Sequence, residues 1–132
     1  MMTLLTVLVA GLAGWAFGAV WYSVFAKSWS VASGVPVGAN GSPTNRASPK
    51  PYVISIIAVM IVSATMVYAF DMLGTETFGK GFTSGLGIGA CFAAPWLALS
   101  YGFAGRPFKL TLIDGGYAAL GSGVIGAVIT LV

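Results

Sequence analysis

The sequence predicts an all-α, polytopic membrane protein with four transmembrane helices in a glycine-rich bundle. Of its 132 residues, 58% are apolar and nine are charged: six Lys or Arg and three Asp or Glu. A soluble domain has about 25% charged residues, so this surface could not be wetted. The same count excludes a disordered chain, a nucleic-acid-binding protein and a coiled coil. A helix needs about 20 apolar residues to cross a bilayer core, and windows of that kind occur in four places, joined by short polar pieces. They are apolar all round, whereas membrane strands alternate every second residue.

The first span covers about residues 3–26 and carries no charge. No Lys or Arg precedes its apolar run, which is too long for a signal-peptide core, so it is expected to stay in the mature protein. Residues 30–51, SVASGVPVGANGSPTNRASPKP, have no helical or strand period and read as a flexible linker. Within them Asn40-Gly41-Ser42 matches a glycosylation sequon, but Pro43 follows it and the loop is expected to be cytoplasmic, so no glycan is expected. The second span, about 52–70, ends against Asp71; the third covers about 82–103, with Pro95 expected to kink it; the fourth covers about 110–132.

The formal charge of +3 is too small and scattered for a polyanionic partner and instead bears on topology. Lys27, Arg46 and Lys50 fall in the first connection and Arg106 and Lys109 in the third, against Lys80 alone in the second. The positive-inside rule then places the first and third connections in the cytoplasm and both termini outside. Aromatic residues mark the two surfaces, with Trp21, Tyr22, Phe25, Trp29, Tyr52, Tyr101, Phe103 and Phe108 toward the basic side and Tyr68, Phe70, Phe78 and Phe82 toward the other. An aromatic cage for a cation, or a stacking site for a pigment, has no supporting charge pattern.

In lipid, helices gain from packing where small residues let their backbones approach. The first span has Ala10, Gly14 and Gly18; the third has Gly81, Gly85, Gly89 and Ala93; the fourth has Gly115, Ala119, Gly123 and Ala127, beside a row of Ser122, Gly126 and Thr130. The second span has no comparable ladder. Spans one, three and four are therefore expected to pack tightly and span two more loosely. The helix-packing interface is expected at Gly14, Gly18, Gly81, Gly85, Gly89, Gly115, Gly123 and Gly126. One ladder facing outward onto another protein is the alternative.

Asp114 is the one charge placed to enter the membrane, where a carboxylate is costly and a functional candidate by default. If the helix starts at Pro107, Asp114 lies about two turns in. There it needs a partner such as Arg106 or Tyr117, which shares its face; Tyr22, Ser55 and Tyr101 would sit at similar depth. Against this, Thr111-Leu112-Ile113-Asp114 fits a capping box at a helix start, and the sequence favours capping or interfacial pairing over proton or cation binding.

The absences are equally informative. There is no histidine, and Cys91 is the single cysteine, so no imidazole-bound metal, redox pair or disulfide is expected, and no cofactor. Without a recognisable nucleophile, base and orienting group, the chain reads as non-enzymatic.

The segment GWAFGAVWYSVFAKSW at the end of the first span, the Gly/Pro-rich connection, the Gly-rich third span and the segment GRPFKLTLIDGGYAAL together resemble the domain of unknown function 1761 family, over essentially the whole chain. The resemblance implies a small four-helix protein of the bacterial inner membrane and brings no established activity or site. The expected function is an accessory or scaffold subunit packing against a larger membrane complex, in contact with membrane lipids and with no nucleic acid. The alternative is a small dimeric transporter or channel for an ion or small solute using Asp114.

Overall fold

The computed structural model describes residues 3–132. Among them, four helices are long and apolar enough to cross a membrane: Leu4–Val24, Lys50–Leu73, Phe78–Phe103 and Phe108–Leu131. The first span is α1 (Leu4–Val24), followed by the short α2 (Ala26–Ser33), and the second is α3 (Lys50–Leu73). The third is α4 (Phe78–Ile88), a π turn (Gly89–Ala93) and α5 (Ala94–Phe103); the fourth is α6 (Phe108–Leu131). No strand forms among the described residues beyond an isolated antiparallel bridge between Val37 and Pro43.

Local chemistry sets the helix ends. The Thr3 hydroxyl accepts the Thr6 N–H at 3.0 Å to start α1, and the Thr77 hydroxyl accepts the Lys80 N–H at 3.3 Å to start α4. Gly34 (φ 70°) and Gly74 (φ 65°) end α2 and α3 in the left-handed conformation that glycine adopts at little cost.

Two expectations need correction here. Residues 30–51 are not all linker: Ser30–Ser33 continue α2, Thr44–Ala47 form a 3-10 turn, and α3 already begins at Lys50. Burial of Ser30 and Ala32 holds the α2 end, and a tight turn follows in which Gly38 N–H meets Ser42 O at 2.9 Å and Thr44 N–H meets Pro36 O at 2.9 Å. The capping box also fails. α6 starts at Phe108, after Pro107 with φ −64°, so Thr111 and Asp114 lie inside the helix rather than at its start. Proline supplies the starting dihedral and has no N–H to satisfy.

At Pro95 the helix answers the missing donor with the π turn just before it, in which the Ala94 N–H reaches back to Gly89 O.

α6 is the central helix. α1 packs on α6 and, as extensively, on α3, whereas the third span packs on α6 and has at most marginal contact with α1 or α3. The glycine rows make the α4–α6 contact backbone to backbone. A Cβ on Gly81 would lie 2.4 Å from Gly126 O, one on Gly126 2.1 Å from Gly81 O, and one on Gly89 2.1 Å from Ala118 O. The remaining small residues receive side chains: Gly14 takes Ile125, Gly18 takes the Tyr117 ring, Gly123 takes Phe82 and Gly115 takes Ala94.

The loose second span is not found. Ser63 is wholly buried and donates to Val7 O at 2.8 Å, Met60 lies on Gly11, and Met66 and Phe70 join Ala10 and Ile125 in the core. A single hydroxyl crossing to a neighbouring carbonyl, with methionines filling the gap, substitutes for a glycine row.

Candidate intramembrane carboxylate site

Asp114 stands in the second turn of α6, between α1 and α2 on one side and α5 on the other. Its Oδ1 accepts from the Tyr22 hydroxyl at 2.6 Å and from the Trp29 indole N–H at 3.1 Å; its Oδ2 accepts from the Tyr101 hydroxyl at 2.5 Å. One carboxylate thus ties together α1, α2, α5 and α6. Tyr22 comes from the last turn of α1. The break at Phe25 restarts the chain as α2 and brings Trp29 to the same oxygen, with the two rings edge to face at 6.1 Å.

All three donors are neutral, and among the described residues no cation pairs with Asp114. Arg106, one expected partner, is exposed; its guanidinium lies over Gly34 at the end of α2, where a Cβ would meet Nη1 at 2.3 Å. Tyr117, the other, donates instead to Gly14 O at 3.0 Å, while its ring packs on Gly18 and Gly121 and meets the Tyr22 ring edge-on at 5.4 Å. Tyr22 and Tyr101, expected at similar depth, do converge on the carboxylate. Ser55 does not, since it accepts from the Trp15 indole at 2.9 Å. Beside the site, Trp21 donates to Ile113 O at 3.0 Å and lays its ring on Gly116.

Sequence reasoning missed Trp29 as a ligand of Asp114 and assigned it only to an interfacial belt. Its seven-residue offset from Tyr22 would signal a shared face only on an unbroken helix, and the break at Phe25 interrupts it.

Chemically the site is an anion held by donors. No nucleophile or second carboxylate shares it, and no group of three or more His, Cys, Asp or Glu gathers anywhere among the described residues. A carboxylate has about four acceptor positions, three of them filled here. At the opposite end of the bundle a concavity of about 290 Å³ is lined by Thr3, Thr6, Asp71, Glu76 and Thr130, among others.

Four apolar spans, with the glycine-rich α6 central among them and a donor-ringed carboxylate inside one end, define a multi-pass α-helical membrane protein. Within that class the chain belongs to the family described as Protein of unknown function (DUF1761), whose model matches residues 5–130. No curated protein and no solved structure matches it.

Proposed function

We propose that this chain is a non-enzymatic accessory or scaffold subunit that packs against a larger complex in a bacterial inner membrane. The observation that supports it most is where the polar groups lie. The carboxylates lie toward the two ends, Asp114 at one and Asp71 and Glu76 at the other, while Ala10, Met66, Phe70 and Ile125 form an apolar core between the helices. A solute path through one copy would need polar lining at mid-membrane. What remains for function is the outer surface, where the third span turns Phe92, Trp96, Leu99 and Phe103 outward.

The test is a mild-detergent pull-down of the tagged protein from its native membrane, sized on a native gel and analysed by mass spectrometry. A stoichiometric larger complex is expected, weakened when Phe92 and Trp96 are replaced by alanine. A clean monomer or homodimer overturns the reading.

A second reading, a small dimeric transporter or channel, draws on the unpaired charge of Asp114. It predicts ion flux in reconstituted vesicles that disappears in Asp114→Asn.

The basic connections set the orientation we propose, with both termini on the periplasmic side. A phosphatase reporter, active only outside the cytoplasm, is therefore expected to be active when fused after Val132. Activity of a cytoplasmic reporter at that position would reverse the assignment.

A further inference from the structure

We infer that Asp114 forms the floor of a binding site for a primary ammonium group, walled by the aromatic side chains of Tyr22, Trp29 and Tyr101. This goes beyond the accessory role and holds with or without a larger partner.

Four observations carry it. The first is charge: a carboxylate inside a membrane-spanning helix is costly, and among the described residues it is met by neutral donors alone. A bound cation supplies the compensation that the chain withholds. The second is valence. Oδ1 accepts two hydrogen bonds and Oδ2 accepts one, so an acceptor position stays open on Oδ2, and an ammonium N–H fits it.

The third is access. α1 and α2 reach Asp114 from one side and α5 from the other, with at most marginal packing between them. Asp114 and Tyr101 are only part-buried. The fourth is the wall. Tyr22 and Tyr101 bring their hydroxyls and Trp29 its indole N–H to the carboxylate, which sets three aromatic rings around it, and aromatic rings attract organic cations that reach their faces. The charge that the aromatic belt lacked in the sequence is supplied across the fold by α6.

The same features choose among cations. A calcium ion takes about six to eight oxygen ligands, and this site offers a single carboxylate. A quaternary ammonium has no N–H for the open position on Oδ2. A primary amine suits both carboxylate and walls. It can arrive as the headgroup of an aminophospholipid or as a free long-chain amine, since the carboxylate belongs to a membrane-spanning helix.

The experiment separates these sources. Purified full-length protein is placed in nanodiscs of phosphatidylethanolamine and phosphatidylglycerol, or of phosphatidylcholine and phosphatidylglycerol, and retained lipid is read by native mass spectrometry. In parallel, dodecylamine, dodecyltrimethylammonium and neutral dodecanol are titrated against tryptophan fluorescence. Retention of phosphatidylethanolamine, lost in Asp114→Asn, assigns the site to a lipid headgroup. Dodecylamine binding without lipid retention assigns it to a free amine.

In either case Asp114→Asn is expected to weaken binding by about tenfold or more, with Tyr101→Phe giving a smaller loss while keeping the charge. Equal binding of dodecanol, equal binding by Asp114→Asn, or no binding in either arm overturns the proposal. Should Asp114→Asn fail to fold, the comparison of dodecylamine with dodecanol on the unaltered protein still decides it.

Discussion

Gly85→Ala is expected to destabilise the bundle by about 1–3 kcal/mol, the usual cost of overpacking. Gly87→Ala, two residues on, is expected to leave stability unchanged or to raise it by up to about 1 kcal/mol through better helix propensity. The two glycines share one helix and one chemistry but face different surroundings. A Cβ on Gly85 would lie 2.1 Å from the Ser122 carbonyl oxygen and 2.8 Å from its carbon, both backbone atoms that no rotamer change can move. A Cβ on Gly87 meets nothing within 4 Å.

Relief at Gly85 requires α4 and α6 to part, which would also loosen the reciprocal contact of Gly81 with Gly126. That contact matters because the third span has little other support: α5 contributes no fully buried residue, and the span rests on α6. Reversible unfolding in mixed micelles, followed by circular dichroism, measures the difference. Equal stability of the two variants would mean that the helices do not approach this closely.

Asp114→Leu is expected to cost about 2–4 kcal/mol, because it strips the acceptor from three donors and each donor left unsatisfied costs about 1 kcal/mol or more. Partial access to interfacial water keeps the loss below the full sum. Tyr101→Phe removes one donor and is expected to cost about 1 kcal/mol. Tyr101 is also the polar tie between α5 and α6 at this end, so the two variants should show coupled rather than additive effects. A double-mutant cycle in the same unfolding assay reads the coupling. Strict additivity would mean that Tyr101 and Asp114 do not interact.

Much of this site was legible in advance, and the failures have identifiable causes. Depth along a helix follows from residue count, so Tyr22 and Tyr101 could be placed level with Asp114 before any fold was known. Arg106 was misassigned because opposite charge and short sequence separation were weighed without the path of the backbone. Gly105, at φ 70°, turns the chain just before Arg106, whose guanidinium lies over Gly34. Thr111 and Asp114 matched a capping pattern that has no force once the helix starts at Phe108, three residues before Thr111. Close packing was expected among spans one, three and four without a pairing; the third span packs on the fourth and at most marginally on the first, and the absence of a row in the second span was a poor guide, since Ser63 and Met60 dock it by other means.

The four spans and the membrane class follow from amounts that add up along the chain: apolar residues per window, charges per connection and small residues per turn. They need no knowledge of neighbours, because transfer of a helix into lipid depends on its own length and composition. Neighbours are a different matter. That α6 is central, that the third span rests on it and that three donors from α1, α2 and α5 close on one carboxylate all depend on hydrogen bonds of about 3 Å or less. They depend equally on backbone contacts that a single methyl group would abolish. Such distances are properties of pairs of helices, and no window on one helix contains them.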